Sequence, residues 1–325
     1  MSERLTALTE WLHDDLRLVD INITQVSGDA SFRRYFRITG LDGASRVVMD
    51  APPDHEDCRP FVQIAERLHH LGLHVPAIYA QDLQQGFLLL EDLGSVHYLD
   101  LLDEQRVERL YGDALAALAV VQACAPTDGL PVYDGKLLLQ EMELFRHWLL
   151  QRHLGMTLTG SENQMLDGLF ELLMKSALEQ PRVFVLRDFH SRNLMVATSP
   201  TPGILDFQDA VAGPVTYDLV SLLKDCYISW STDRVKGWAS GYFQLAVQSG
   251  VLQQQQEAYF LRWFDLMGVQ RHLKAAGIFA RLHLRDGKPG YLGDIPRTLG
   301  YILQLEPAYP ELEGLCRLIR KARAE

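Results

Sequence analysis

The chain has 325 residues, of which 47% are apolar and 22% are charged, a composition that supports a sizeable hydrophobic core and excludes a disordered chain. Its 42 acidic residues outnumber its 31 basic residues and give a formal charge of −11. A general nucleic-acid-binding protein is not expected, because affinity for the phosphate backbone comes from clustered lysine and arginine.

Targeting and redox signals are missing from the sequence. Acidic residues interrupt the first part of the chain, so no secretory signal is predicted, and no apolar run reaches the roughly 20 residues that cross a bilayer. The four cysteines have no CxxC pairing or regular spacing, so neither a disulfide framework nor a metal centre is expected. We expect a cytoplasmic protein that needs no membrane and no obligate protein partner.

The first ninety residues favour a small sheet. An opening amphipathic helix is predicted, because Leu5, Leu8, Trp11, Leu12 and Leu16 recur at helical spacing. Short strand-like segments with turn sequences between them follow, at 21–26, 32–39, 46–49, 77–81 and 86–90. One helix, over 61–71, interrupts them and ends at Gly72.

From residue 99 onward the pattern is mainly helical. Long helices are predicted over 99–122, 137–152, 161–178 and 217–229, with several more to the C terminus. Two strand-like segments, VFVL and GILDF, interrupt this pattern between 183 and 207. The predicted fold class is therefore α+β, with a small antiparallel-sheet lobe over 1–93 and a large helical lobe over 94–325.

The segment 186–209, LRDFHSRNLMVATSPTPGILDFQD, carries the strongest chemical signal. Asp188 precedes Asn193 by five positions, and the next strand ends at Asp206. Phosphoryl transfer needs a carboxylate that accepts the attacking hydroxyl's proton and oxygen ligands for magnesium, and kinases supply them at this spacing. Asp188 is predicted to be the catalytic base, with Asn193 and Asp206 as magnesium ligands. The alternative is that all three are ordinary loop and turn residues.

Three segments, LRDFHSRNLMV, ILDFQDA and GPVTYDLVSLL, resemble the aminoglycoside phosphotransferase and choline kinase group of protein-kinase-like enzymes. The resemblance implies a two-lobed protein-kinase-like fold that uses ATP and Mg²⁺. The family motif HxDxxxxN begins with histidine, whereas this chain has Leu186. The difference concerns the geometry of the loop and leaves the three chemical residues in place.

The resemblance also implies a set of nucleotide-binding residues in the small lobe. The segment SGDASFRRYFRI, with Ser31, Arg33 and Arg34, occupies the place of the phosphate-covering hairpin, although a generic hairpin turn explains it equally well. Val48 would cover the base. The segment LLLEDLG, with Glu91 and Leu93, resembles the hinge that binds the adenine edge.

One family feature is missing. The segment VVMDAPP has Asp50 where protein kinases place a phosphate-binding lysine, and the chain has no lysine before Lys136. An arginine could take that role; adjacent strand residues face opposite sides, and we favour Arg33 over Arg34 because it shares a face with Tyr35. The alternatives are that both arginines are solvated strand-edge charges, or that the chain is a pseudokinase.

The segments RRYFR, MDAPP, DFHSRNLM and GVQRHLKAAGIFARLHLRDGK are similar to bacterial anomeric kinases of N-acetylmuramic acid and N-acetylglucosamine, which recycle peptidoglycan sugars. The similarity implies that the product is a sugar 1-phosphate. An anomeric hydroxyl is more acidic than other sugar hydroxyls, so a weak general base is enough to accept its proton.

The residues expected to bind the sugar are Asp188, Asp225, Tyr227, Trp230, Arg271 and His272. A cation of the QRHLK segment could bind the lactyl carboxylate of muramic acid, and the two aromatic side chains could stack on the ring. The alternatives are a solvated helix face for QRHLK and core packing for the aromatic residues.

Two other functions remain open from the sequence. An aminoglycoside O-phosphotransferase that confers antibiotic resistance fits the acidic net charge, but the basic QRHLK segment and the C-terminal CRLIRKARAE do not favour it. A nucleotide-binding pseudokinase fits the missing lysine, but Asp188, Asn193 and Asp206 are all present.

Overall fold

The computed structural model describes residues 3–26, 32–41, 43–198 and 201–324. The backbone forms two compact units: the sheet unit, Met1–Val96 with Met195–Asp209, and the helical unit, His97–Leu194 with Ala210–Glu325. The predicted boundary at residue 93 lies close to this division, whereas the prediction assigns 195–209 to the helical part.

The sheet unit contains a five-stranded antiparallel sheet in the order β1-β2-β3-β5-β4. The predicted strands and helices of this region are present, with small shifts at their ends. The elements are α1 (Glu3–Glu10), β1 (Asn22–Gln25), β2 (Arg34–Thr39), β3 (Ser45–Asp50), α2 (Arg59–His70), β4 (Ile78–Asp82) and β5 (Phe87–Glu91).

Helix α1 and the π-helical turn Trp11–Asp15 that follows it cover one face of this sheet. Their apolar side chains form a core with alternate residues of the strands: Leu8, Trp11, Leu12, Phe36, Ile38, Val48, Phe87 and Leu89. Side chains alternate along a strand, so Asp50 lies on the same face of β3 as Val48. The covered face of the sheet therefore carries both of these residues.

The helices predicted over 137–152 and 161–178 are confirmed, whereas the helix predicted over 99–122 is divided into two, Tyr98–Leu101 and Val107–Cys124. A π-helical segment, Phe145–His153, continues α5. The remaining elements are α3 (Tyr98–Leu101), α4 (Val107–Cys124), α5 (Gly135–Leu144), α6 (Gly160–Leu178), β6 (Arg182–Val185), β7 (Leu194–Met195), β8 (Gly203–Ile204), β9 (Val211–Pro214), α7 (Tyr217–Leu223), α8 (Thr232–Gln248), α9 (Glu257–Asp286), α10 (Ile295–Leu305) and α11 (Glu313–Ala324).

The strand pairing around the predicted catalytic segment differs from expectation. Strand β6 pairs antiparallel with β9, whose sequence VAGP gives no strand signal because glycine and proline weaken strands. A Cβ on Gly213 would lie 3.0 Å from the Cβ of Tyr133, so a larger residue there would require a small shift of its neighbours. The GILDF segment contributes only the short β8, which pairs with β7. The predicted 217–229 helix ends at Leu223.

Helix α9 runs through the core of the helical unit. Its apolar side chains pack with those of α5, α6, α10 and α11. At Gly277 a Cβ would lie 2.3 Å from the backbone carbon of Leu144, so the two backbones touch. The polar QRHLK segment of α9 is buried, and the alternative of a solvated helix face is wrong. Within the described residues, no helix is both long and apolar enough to span a membrane.

Candidate active site

The loop between β6 and β7 contains Asp188, and a buried carboxylate holds its entry. The carboxylate oxygens of Asp218, on α7, accept hydrogen bonds from the backbone nitrogens of Leu186 (2.7 Å) and Arg187 (2.9 Å). Arg187 has a φ of 73°, a conformation that non-glycine residues keep only where the surroundings enforce it. Asp218 therefore fixes the turn that leads into Asp188.

This geometry explains why leucine can occupy position 186. The side chain of Leu186 is buried, and its backbone nitrogen makes the anchoring contact. Burial raises the pKa of Asp218 to about 7, although the two backbone hydrogen bonds oppose that rise. The turn therefore depends on backbone groups and Asp218, and a histidine side chain is not required for it.

The second half of the loop is held by Asn193 and Asp225. The Asn193 side-chain nitrogen donates to the carbonyl oxygen of Asp188 at 3.0 Å. One oxygen of Asp225 accepts from the backbone nitrogen (3.0 Å) and hydroxyl (2.5 Å) of Ser191, and the other accepts from the backbone nitrogen of Tyr227 at 2.9 Å. Asp225, predicted to bind substrate, is buried behind the loop and positions Ser191 and Tyr227.

Asp188 itself is half-buried. Burial alone would raise the pKa of its carboxyl, but the positive charges of Lys274, Arg271 and Arg187 outweigh that cost and hold the pKa below its usual value. Asp188 is therefore ionised at neutral pH. An ionised carboxylate can accept a proton, which is the role that its spacing from Asn193 predicts.

A second buried carboxylate, Glu141 on α5, lies among the cations near Asp188. Its Oε1 atom is 2.5 Å from Nη2 of Arg187 and 3.0 Å from Nζ of Lys274, and these three residues are called the Glu141 cluster below. The hydroxyl of Tyr133 donates to its other oxygen. Burial would raise the pKa of Glu141, but Lys274 and Arg187 bring it below its usual value. The cluster joins the catalytic loop to α9.

A pocket in the helical unit opens beside Asp188. The cavity has a volume of about 100 Å³, and both polar and apolar side chains line its wall. The lining residues are Asp188, His190, Tyr217, Cys226, Tyr227, Arg271, Lys274, Ala275, Ile278 and Phe279. The structure thus brings Tyr227 and Arg271, two of the predicted substrate residues, to the same pocket as Asp188.

Tyr227 is held in the pocket wall by its neighbours. Its ring is 5.4 Å from that of His190 in an edge-on arrangement, and the guanidinium carbon of Arg192 lies 3.8 Å from its centroid. Its backbone is fixed by Asp225. The half-buried ring can therefore present a surface to a ligand without a change of its own position.

His272 and Trp230, also predicted to bind substrate, face elsewhere. The Nε2 atom of His272 is 2.9 Å from the carbonyl oxygen of Lys224, and its ring stacks on Tyr301 with centroids 4.8 Å apart. Burial lowers the pKa of His272 to about 3, so it is neutral. The Trp230 indole donates to the hydroxyl of Tyr111 at 3.1 Å. Both side chains pack within the protein and are not part of the pocket wall.

In the sheet unit, the aspartate at the expected lysine position is fully buried. The Oδ atoms of Asp50 accept from Nε of Arg4 (3.1 Å) and Nε of Arg34 (3.0 Å), and these three residues are called the Asp50 cluster below. Asp50 thus faces α1, and the opposite face of β3 carries Val47 and Met49. The match of Asp50 to the position of the family's lysine stays a prediction.

The two candidate arginines diverge, as strand alternation predicts. Arg34 is engaged by Asp50, whereas Nη2 of Arg33 lies 3.1 Å from Oε2 of Glu56. The preference for Arg33 as the phosphate-binding cation stays a prediction, and Arg34 is already neutralised. Ser31 lies outside the described residues.

Of the three other predicted nucleotide residues, Val48 requires a correction. It is fully buried in the core under α1, so it has no surface left for a base. The carboxylate of Glu91 contacts Nε2 of His74 (3.1 Å) and the backbone nitrogen of Ala77 (3.2 Å). Leu93 packs on Gly203, where a Cβ would lie 2.9 Å from it. Glu91 and Leu93 stay predictions.

Asp206 belongs to the sheet unit and Asn193 to the helical unit. Asp206 has a φ of 59° and accepts a hydrogen bond from Nε2 of Gln208 at 2.7 Å. Carboxylate and amide oxygens are ligands that Mg²⁺ takes, and it usually completes its shell with water and phosphate oxygens. In the described part of the chain no three His, Cys, Asp or Glu residues form a metal cage. The role of both residues as magnesium ligands stays a prediction.

The sequence assigned no role to Asp218 or Glu141, and it indicated Lys274 only as one of the QRHLK cations that could bind the lactyl carboxylate. Asp218 had a signal, a charged residue inside the apolar run YDLVSLL. Lys274 also stands in the unusually polar segment QRHLK. Glu141 had no local signal, because its segment LLLQEMEL reads as an ordinary amphipathic helix. Its partners lie in distant segments of the chain.

Comparison with known proteins shows which family this chain resembles. The profile of the phosphotransferase enzyme family matches residues 22–254. An N-acetylmuramate/N-acetylglucosamine kinase of Pseudomonas putida is 48% identical over 333 aligned positions, which cover 99% of this chain and 97% of that protein. The predicted similarity to this group of kinases is confirmed.

Solved structures support the fold. A choline kinase from Streptococcus pneumoniae, 12% identical, superposes with a TM-score of 0.65 and covers 92% of this chain and 99% of its own. An ADP-bound aminoglycoside phosphotransferase is 15% identical and superposes with a TM-score of 0.58. The match covers 91% of this chain and 97% of that protein. The α+β, protein-kinase-like fold that the sequence predicts is therefore confirmed.

Proposed function

The chain belongs to the phosphotransferase enzyme family, and from that premise we propose that it transfers the γ-phosphoryl group of ATP to the anomeric hydroxyl of N-acetylmuramic acid or N-acetylglucosamine. The product would be the sugar 1-phosphate, and the reaction would return cell-wall sugars to cytoplasmic metabolism. The observation that carries this proposal is an ionised Asp188 in the wall of a pocket lined by Tyr227 and Arg271.

In the proposed reaction the anomeric oxygen attacks the γ-phosphorus as the bond to the β–γ bridging oxygen breaks, so ADP leaves. The hydroxyl proton passes to the carboxylate of Asp188. The lowered pKa makes Asp188 a weak base, but the transition state of phosphoryl transfer is loose and asks mainly for positioning. Asp218 and Asp225 position the loop through the contacts described above.

We assign Asn193 and Asp206 as ligands of the magnesium ion that accompanies ATP. The ion would neutralise charge on the phosphates. The hydrogen bond from Asn193 to the backbone of Asp188 fixes which amide atom is the donor. On the nucleotide side we retain Ser31, Arg33, Glu91 and Leu93 as proposals and give Arg34 a structural role.

Two alternatives are weaker. An aminoglycoside is a polycation, and the pocket wall carries the cationic side chains of Arg271 and Lys274, which would repel it. A pseudokinase would have no need for an ionised carboxylate at position 188 whose charge is stabilised by several surrounding cations. Neither alternative uses the features of the pocket.

The experiment is product analysis by phosphorus and proton NMR. The protein is incubated with ATP, Mg²⁺ and, separately, N-acetylmuramic acid, N-acetylglucosamine, N-acetylgalactosamine and kanamycin. We expect a new phosphomonoester whose phosphorus couples to the anomeric proton with the first two sugars. A phosphate on another carbon, or turnover of kanamycin alone, would contradict the proposal.

A further inference from the structure

Arg271 is a buried cation that has no ion pair with any described residue. Its side chain lies in the pocket wall beside Asp188, and the residue is 6% exposed. Among the described residues, its one polar side-chain contact is Nη1 to the sulfur of Cys226 at 3.6 Å. A thiol is a poor acceptor, and burial raises the pKa of Cys226, so the sulfur stays neutral. A buried guanidinium costs free energy unless a partner compensates its charge.

The other cations near Asp188 are already paired. Nζ of Lys274, one helical turn from Arg271, lies 3.0 Å from Glu141 and 2.8 Å from the hydroxyl of Tyr217. Arg187 contacts the same oxygen of Glu141. Asp225, an acidic group whose charge reaches Arg271, accepts from Ser191 and Tyr227. Of the two basic side chains that line the pocket, Arg271 is therefore the one whose N–H groups can still bind a ligand.

A second polar group in the same wall also lacks a partner. The Nδ1 atom of His190 is buried and has no hydrogen bond within the described part of the protein. Burial lowers the pKa of His190, so the ring is neutral at pH 7. Buried polar groups in native proteins are rarely unsatisfied, and water or a ligand in the pocket can supply the partner. The same pocket is also lined by Ala275, Ile278 and Phe279. These apolar side chains lower the local dielectric constant, so a charge–charge contact made there is stronger than in water.

We propose that Arg271 binds a carboxylate of the sugar, namely the lactyl carboxylate that N-acetylmuramic acid carries and N-acetylglucosamine lacks. The inference rests on the proposed function and names the residue that sets the preference between the two sugars. The planar guanidinium matches a carboxylate in two parallel hydrogen bonds. The lactyl group is two ring carbons from the anomeric carbon, so one sugar can present its hydroxyl to Asp188 and its carboxylate to Arg271.

The first test leaves the protein unchanged. The value of kcat/KM is measured for N-acetylmuramic acid, for its methyl ester and for N-acetylglucosamine. The ester keeps the lactyl skeleton and loses the charge, so we expect the acid to exceed it by about tenfold to a hundredfold. Equal values for acid and ester would overturn the inference while leaving the proposed function intact. Failure to phosphorylate either sugar would refute the proposed function itself.

The second test compares Arg271→Met and Arg271→Lys. We expect Arg271→Met to lower kcat/KM for N-acetylmuramic acid by about tenfold to a hundredfold more than for N-acetylglucosamine, mainly through KM. Arg271→Lys keeps the positive charge and loses the planar pair of donors. Its loss in kcat/KM for N-acetylmuramic acid should therefore be smaller than that of Arg271→Met. An equal loss for both sugars, or no loss, would overturn the inference.

Arg262→Met is the matched control. Arg262 lies on the same helix, half-exposed, and pairs with Glu311 away from the pocket. We expect its kcat/KM ratio for the two sugars to equal that of the parent. Should Arg271→Met fail to fold by circular dichroism, the comparison of acid and ester on the unchanged protein decides the question.

Discussion

Each unit of the molecule contains a buried carboxylate between two cations, Asp50 in the sheet unit and Glu141 in the helical unit. The partners of Asp50, Arg4 and Arg34, are 31% and 34% exposed, so water reaches their charges. The partners of Glu141 are 21% exposed for Arg187 and 10% for Lys274. The same chemical group is thus placed in two different surroundings.

The difference lies in what each cluster holds in place. The Asp50 cluster ties α1 to β2 and β3, and apolar core residues surround it. The Glu141 cluster ties the catalytic loop to α9, and two of its cations act on the pKa of Asp188. We infer that the first cluster serves stability alone, whereas the second serves stability and catalysis.

The largest expected effect tests whether the helical unit surrounds a proton acceptor. Asp188→Asn should lower kcat by about 10²- to 10⁴-fold, because an amide cannot accept the proton in the transition state. Nucleotide affinity, measured by calorimetry, should stay unchanged. Asp167→Asn, an exposed residue paired with Arg146, serves as the control and should keep full kcat. Wild-type turnover by Asp188→Asn would remove Asp188 from the mechanism.

The next prediction concerns Glu141→Gln. The change leaves Arg187 and Lys274 without their shared counter-ion, so the free energy of unfolding should fall by about 3–5 kcal/mol in urea titrations. The value of kcat should fall as well, since both cations lie near Asp188. Glu143→Gln, which breaks a more exposed pair with Arg146, should cost less than about 1 kcal/mol. A stable, fully active Glu141→Gln protein would contradict the inference that the Glu141 cluster serves both stability and catalysis.

Asp50→Asn should affect stability without affecting turnover. We expect the free energy of unfolding to fall by about 2–3 kcal/mol, less than for Glu141→Gln, because Arg4 and Arg34 can be hydrated. The value of kcat at saturating substrates should equal that of the parent. Asp57→Asn, in an exposed pair with Arg59, is the control and should be nearly neutral. If Asp50→Asn lowers kcat, the sheet unit's cluster also takes part in catalysis.

The smallest effect tests the side of α9 that faces away from the pocket. The pKa of His272 is about 3 in the folded state and about 6.5 in an unfolded chain, so the unfolded state takes up a proton first as the pH falls. Stability is therefore lost below about pH 6.5, by about 2 kcal/mol between pH 7 and pH 5. His272→Gln should remove this part of the pH dependence of unfolding.

The control for that experiment is the difference between variant and parent at each pH. The raised pKa of Asp218 acts in the opposite sense, since its folded state holds a proton up to about pH 7 and loses stability as the pH rises. That contribution is common to both proteins and cancels. An unchanged pH dependence in His272→Gln would show that His272 can take up a proton in the folded state.

Much of the fold is readable in local patterns. Strands β2, β3 and β5 follow from short apolar segments between turn sequences, and the helices follow from their apolar spacing. Asp188 and Asn193 stand out because they are five positions apart in one loop, as in the catalytic loop of kinases. Such features depend on residues that are close in sequence, because the repeat of a helix or strand sets which side chains share a face.

Other features depend on residues that are distant in the chain. Alternation places Val48 and Asp50 on one face of β3, but the packing of α1 decides that this face is covered. Strand β9 forms because β6, which is distant in the chain, supplies its pairing partner. The QRHLK segment can be buried because Glu141 compensates the charge of Lys274 and the ring of His272 is neutral. Spacing along the chain reports which groups are present, whereas burial and charge compensation arise only when distant segments meet.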